Sequence, residues 1–117
     1  MEFQDLRIEG NDLHTVVAVS PWEAALGGRV PVQTVDGSVT LAIPKGSQNG
    51  RKLRLRGKGL PRPNGVWGDL IVELVIKIPD HLTHDEEKLF REMSKKSLFN
   101  PRDSYQQMAG SYEEVQG

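Results

Sequence analysis

The chain has 117 residues, a net charge of −1 and no cysteine. That length supports one domain able to bury roughly two thirds of its unfolded surface, and the missing thiols exclude a disulfide framework or a thiolate metal site, so cytoplasmic residence is the simpler reading. No apolar run approaches the roughly 20 residues needed to span a bilayer, and residues 1–10 are too acidic and too broken for a signal peptide, so a soluble protein with no membrane partner is expected.

Charge is unevenly placed. Gly37 to Gly68 holds seven Lys or Arg and no acid, whereas Asp80 to Gly117 holds eight acids against five bases. The chain is electrically polarised without being basic overall.

Residues 1–9 set Phe3, Leu6 and Ile8 among charges and read as a lead-in from a preceding domain. From Asp12 to Ser20, Leu13, Thr15, Val17 and Val19 alternate with His14, Val16 and Ala18, which predicts an interior strand that is apolar on much of both faces. Ser20-Pro21-Trp22-Glu23 can form a capping box with proline in the first helical position, and Gly27-Gly28 closes a helix of about two turns. Trp22 and Leu26 are expected to plug one end of the sheet core.

The middle of the chain organises the rest. Val30 to Thr34 and Val39 to Ile43 alternate around Asp36-Gly37, a pair suited to the positive φ angles of a two-residue hairpin turn. After Pro44-Lys45-Gly46 and Asn49-Gly50, a third strand is expected from Lys52 to Lys58, with Leu53 and Leu55 on one face and Lys52, Arg54, Arg56 and Lys58 on the other. Gly57 to Gly68 is too rich in glycine and proline for regular structure. Leu70 to Ile78, the longest strand expected and a central one, follows, and Pro79 ends it.

Thr83-His84-Asp85-Glu86 is a second capping box, and Asp85, Glu86 and Glu87 lie where the helix dipole favours acids. A helix is expected within 81–100. Leu89, Phe90, Met93 and Leu98 fall near one side, Phe99 adds apolar surface, and Asn100-Pro101 is the stop. Residues 101–117 are polar and low in aliphatics and are expected to form a flexible tail. The divisions are therefore 1–9 lead-in, 10–80 β-sandwich domain, 81–100 C-terminal helix, a dimerisation helix if it pairs with a second copy, and 101–117 tail. The fold class is mainly β: a small two-sheet sandwich or partly open barrel with one short internal helix and a C-terminal helix.

Catalysis has little to stand on, and no cofactor is implied: the chain has no cysteine and no Gly-x-Ser-x-Gly elbow, and no histidine is set against a nucleophile. His81 and His84, with Asp80 and Asp85, straddle a helix start that needs Thr83 and Glu86 for capping, so no metal site is assigned. Gly46 to Lys52 lacks the ending of a phosphate loop and the helix that must follow one. Lys52, Arg54, Arg56 and Lys58 would make a ladder of cations over roughly 20 Å, able to follow a nucleic-acid backbone. The competing explanations are that these cations guard an exposed strand from pairing or meet Glu73 across the sheet. For the last helix, the open choices are docking on its own domain or pairing with a second copy.

The order of motifs resembles the second C-terminal domain of DnaJ-family co-chaperones. It is carried by Gly10-Asn11-Asp12-Leu13, Pro21 to Gly28 (PWEAALGG), Val35-Asp36-Gly37, Ile43 to Gly50 (IPKGSQNG), Leu55 to Pro61 (LRGKGLP), Gly68-Asp69-Leu70 and Phe99-Asn100-Pro101-Arg102. Over about residues 6 to 102 the likeness is nearest to the curved-DNA-binding-protein branch. The resemblance implies a β-sandwich that binds unfolded client proteins, dimerisation through the last helix, and work in protein folding and the stress response alongside a DnaK-type ATPase chaperone. No His-Pro-Asp tripeptide occurs, so stimulation of that ATPase is expected to reside in parts of a parent protein outside these residues. The dimer contact then falls to Leu89, Phe90, Met93, Leu98 and Phe99. The alternative is a curved-DNA-binding module using the basic strand 52–58.

Overall fold

A computed structural model describes residues 6–103; the first five residues and 104–117, most of the expected tail, lie outside the described residues. Among the described residues, six strands and two helices occur in the order β1 (Arg7–Glu9), β2 (Asp12–Val19), α1 (Pro21–Leu26), β3 (Gly28–Thr34), β4 (Gly37–Ile43), β5 (Lys52–Leu55), β6 (Leu70–Ile76) and α2 (His84–Lys96). The chain divides into two compact units, Met1–Pro79 and Asp80–Gly117.

The first unit is a two-sheet β fold without a closed barrel. Four strands in the order β1-β2-β6-β5 make the larger sheet, and β3 with β4 make the smaller. β2 and β6 run parallel from Leu13↔Leu70 to Val19↔Ile76, while β1 and β5 flank them antiparallel. Parallel neighbours need a long crossover, here α1, both strands of the small sheet and β5.

Alternation places the core. Leu13, Val17 and Val19 of β2 join Leu70, Val72 and Leu74 of β6, Val32 of β3, Leu41 and Ile43 of β4, and Ala24 of α1 in one buried cluster. Leu70 and Leu74 are wholly buried, and removing each from water contributes about 2–3 kcal/mol. Leu53 and Leu55, partly buried, pack on the same cluster.

Several expectations need correction. Arg7–Glu9, expected to be part of a lead-in from another domain, pairs with β2 and belongs to this sheet. Trp22 and Leu26 are 49% and 74% exposed, and the α1 residue in the core is Ala24. A six-residue helix buries only one side, and four-residue spacing puts Trp22 and Leu26 together on another. The hairpin turn is Val35-Asp36 rather than Asp36-Gly37, since Gly37 already pairs with Thr34. Only Gly37, with φ 127°, leaves the negative range, and the Thr34 hydroxyl, bonded at Asp36 Oδ1 and the Gly37 carbonyl, ties the loop instead. β2, at eight residues, is longer than β6, at seven, whose pairing stops at Ile76 and leaves Ile78 exposed.

The segment between β4 and β5 closes the far end of α1. Gly46 N–H and Ser47 N–H donate to the Ala25 and Ala24 carbonyls, which the last turn of a helix leaves without partners. Asn49 Oδ1 accepts from Ile76 N–H, and the Leu74 carbonyl accepts from Gly50 N–H. Thus one loop fixes α1 and the start of β5 against β6.

In the second unit, α2 carries the expected capping box: Glu86 N–H donates to Thr83 Oγ1 at 3.1 Å, and Thr83 N–H to Glu86 Oε1 at 2.7 Å. The helix ends at Lys96 with Ser97 as its cap, short of Asn100-Pro101, so Leu98 and Phe99 are not helical. Residues 101–103, placed at the head of the expected tail, form a turn in which Asp103 N–H donates to the Asn100 carbonyl.

Candidate functional site

Two surfaces carry the residues singled out in the sequence, one in each unit. The first is β5, an edge strand of the larger sheet. Its ladder of four cations does not exist as expected, because β5 ends at Leu55 and leaves Arg56 and Lys58 beyond it. The cause is Asp69. Its Oδ1 accepts from Gly57 N–H at 2.9 Å while its Oδ2 pairs with Arg54 Nη1, drawing the chain into a turn just past the strand. The Gly57 amide first, and the Arg54 guanidinium second, hold the Asp69 carboxyl below the usual carboxylate range.

Lys58 lies 3.9 Å from Asp36. Lys52 sits opposite Glu73 in the β5–β6 register, yet neither it nor Arg56 makes an ion pair among the described residues. Arg54 and Lys58 are therefore ion-paired within the protein, Arg56 adds its charge to the field on Asp69 without a close pair, and Lys52 makes no ion pair among the described residues. Asp69 was missed as the organiser, though a signal existed: Asp36 and Asp69 are the acids that bound the acid-free basic run, and each pairs with a cation from inside it.

The β5–β6 loop is knotted tightly at its base. Leu60 N–H donates to the Asn11 carbonyl, Gly59 N–H to Gly68, Gly68 N–H to Leu60 and Asp69 N–H to Asp12 Oδ1, all between 2.7 and 2.8 Å. A Cβ on Gly68 would lie 2.0 Å from the Asn11 carbonyl oxygen. This close approach of backbones fixes Asp69, and through it Arg54.

The second surface is α2. None of its residues is buried, and Leu89 and Met93, four apart, are each 64% exposed, with Phe90 beside them at 38%. Leu98 and Phe99 are fully or largely exposed just beyond the helix. Glu87 and Arg91 pair on the polar side. His84 is the first residue of α2 and His81 precedes its cap; among the described residues no three metal-ligating side chains converge.

Residues 2–79 match the family described as the DnaJ C terminal domain. The chain belongs to that family. Among DnaJ-family relatives, it is 44% identical over 95 residues to a curved DNA-binding protein of Coxiella burnetii, covering 81% of this chain and 30% of the relative. To chaperone protein DnaJ 2 of Synechocystis it is 42% identical over 98 residues, 84% of this chain and 32% of the relative. A curved DNA-binding protein of Pseudomonas putida gives 42% over 95 residues, with 81% and 30% covered.

The chain thus spans about a third of the length of the curated relatives it matches. Ninety-five matched residues exceed the 79 of the first unit, so the likeness runs on into the second. As a DnaJ C-terminal domain, the chain is of co-chaperone type, a domain class without a catalytic role. No helix among its described residues is long and apolar enough to cross a membrane.

Proposed function

We propose that this DnaJ C-terminal domain is the client-holding and dimerising part of a J-domain co-chaperone. It binds unfolded or partly folded proteins in the cytoplasm, carries out no reaction itself, and cooperates with a DnaK-type chaperone through segments of its parent protein. Two domains in one dimer hold a long client more tightly than either alone, because the second contact forms at high effective concentration.

The observation that supports this reading is the row of unburied apolar residues on a well-capped helix. Leu89, Phe90 and Met93, continued by Leu98 and Phe99, form the dimer contact. A helix whose charged side is laced by Glu87–Arg91 has no need of five exposed apolar neighbours unless they meet a partner. Sedimentation of the full chain at roughly tens of micromolar is expected to give a dimer, and Phe90→Asp or Met93→Asp a monomer with its sheet circular dichroism intact. A monomeric wild-type chain would remove the pairing role.

A second reading is DNA binding through Lys52, Arg54, Arg56 and Lys58, favoured by Lys52 and Arg56, which make no ion pair among the described residues, and by the curved DNA-binding proteins among the relatives. Retention on duplex DNA that falls steeply with salt and with Lys52→Gln and Arg56→Gln supports it; retention indifferent to both rejects it.

A further inference from the structure

The apolar row of α2 is narrow. Leu89 and Met93 are its most exposed members within the helix, and Phe90 stands to one side of them, less exposed. One neighbouring helix is enough to cover such a row. Along the same side, positions 86, 89, 93 and 96 step by three, four and three and carry Glu86, Leu89, Met93 and Lys96, so the row is apolar at its centre and charged at both ends.

The sequence beyond Asp103 repeats that spacing. Tyr105, Met108, Tyr112 and Val115 also step by three, four and three, the interval that keeps side chains on one side of a helix. Ala109 joins them, whereas Gln106, Gln107, Ser111, Glu113 and Glu114 fall on other sides. The tail is polar in bulk but not in arrangement. Length agrees as well: residues 104–117 number 14 against 13 in α2, and either segment spans about 20 Å as a helix. Between Lys96 and Tyr105 lie eight residues, a usual length for a helix–helix connection. They include the turn at 100–103, where the Asn100 carbonyl accepts from Asp103 N–H and Asn100 Oδ1 from Arg102 N–H. Such a turn reverses the chain.

We infer that residues 105–115 fold back antiparallel on α2 as a second amphipathic helix, covering Leu89 and Met93 within one chain and so competing with a second copy for the same row. The matched steps set the register. Met108 meets Met93, Tyr112 meets Leu89, and Tyr105 lies along the aliphatic stem of Lys96. Both segments belong to the same compact unit, Asp80–Gly117.

The contact is weak by composition and favoured by tethering. A helix this short is marginal by itself, and Gly110 within it lowers the propensity further. Against that, a connection of a few residues holds the tail near α2 at an effective concentration of roughly millimolar. Dilute chains therefore cover their own row, and concentrated chains exchange the tail for a partner. Because each copy must release its tail, the effect on pairing is squared: a tail docked about two thirds of the time weakens dimerisation roughly ninefold.

The inference rests on the dimer reading of this row and adds its regulation. Its test labels the methionine methyls of the full chain, whose methionines are Met1, Met93 and Met108, and measures the dimer dissociation constant by sedimentation across a dilution series. In dilute monomer a nuclear Overhauser cross-peak between the Met93 and Met108 methyls is expected, fading as the dimer forms. Tyr112→Ser is expected to abolish that cross-peak and tighten the dimer by about fivefold or more. A monomer without the cross-peak overturns the proposal, as does a Tyr112→Ser dimer that is unchanged or weaker; the weaker result would put the tail inside the dimer contact. A chain that dimerises without the monomer cross-peak and is indifferent to Tyr112→Ser loses the fold-back and keeps its pairing role. One that stays monomeric with and without Tyr112→Ser, yet shows the cross-peak, keeps the fold-back contact and loses both pairing and competition.

Discussion

Replacing Gly68 with alanine probes the contact on which the placement of Asp69 and Arg54 depends. Its φ is not in the left-handed region, so an alanine backbone is acceptable there and only space forbids the side chain. The added Cβ would stand 2.0 Å from the Asn11 carbonyl oxygen, 2.5 Å from its carbon and 2.9 Å from Asp12 Oδ1. Close-packed interiors do not yield locally, so the two backbones must part by more than about 1 Å to restore ordinary contact. That movement opposes the bonds from Leu60 N–H to Asn11 and from Asp69 N–H to Asp12. Each such bond is worth about 1 kcal/mol, and forced overpacking costs a further ~1–3 kcal/mol. We expect Gly68→Ala to lose about 3–5 kcal/mol in urea unfolding followed by fluorescence of the adjacent Trp67, against about 1–2 kcal/mol for the control Gly46→Ala, where space is open but φ is +76°. A Gly68→Ala midpoint within about 1 kcal/mol of wild type would refute the argument that this close approach sets the end of β5.

Three further outcomes follow from the same structure. Leu74→Ala, at a wholly buried position in the cluster joining both sheets, should cost about 3–4 kcal/mol by urea titration; a loss below about 1 kcal/mol would mean the sheets do not share that core. Asp69 has a folded pKa below its ordinary 3.8, so its contribution is present above that value and is lost as pH falls through the lower folded one. Asp69→Asn should therefore flatten the acid limb of the stability curve, and a limb left unchanged below the ordinary carboxylate value of 3.8 would count against the Gly57 and Arg54 contacts. Thr83→Ala removes the acceptor for Glu86 N–H and should cost the second unit about 1 kcal/mol of helix stability, read as lower helicity on heating and weaker self-association; no change in either would mean the cap is not limiting.

Much of the fold was legible because alternation and capping are local. The row of Leu13, Thr15, Val17 and Val19 faces the core as its alternation required, and β2 is interior, between β1 and β6, although its other face, with His14, Val16 and Ala18, is not buried. Both capping boxes form from Ser20 with Glu23 and Thr83 with Glu86. What misled was reading side chains without their surroundings. Trp22 and Leu26 are bulky enough for a core, but α1 offers it only the side carrying Ala24. The cation stripe continued to Lys58 on paper because period-two spacing cannot register that Asp69, 15 residues beyond Arg54, turns the chain after Leu55.

Sequence alone determined where seven of the eight strands and helices lie, though not all of their ends, where both helices begin, that a basic run stands between two acids, and that the last helix carries an apolar side. Those follow from neighbours within a few positions, whose geometry the covalent chain dictates. Only the tertiary structure decided that the two expected interior strands, β2 and β6, run parallel as neighbours, that β5 ends at Leu55 as an edge, and that Lys52 and Arg54 turn their main-chain groups outward. Strand order and hydrogen-bond phase arise from contacts between segments such as Asn11 and Gly68, far apart in the chain, and no local periodicity encodes which of them meet.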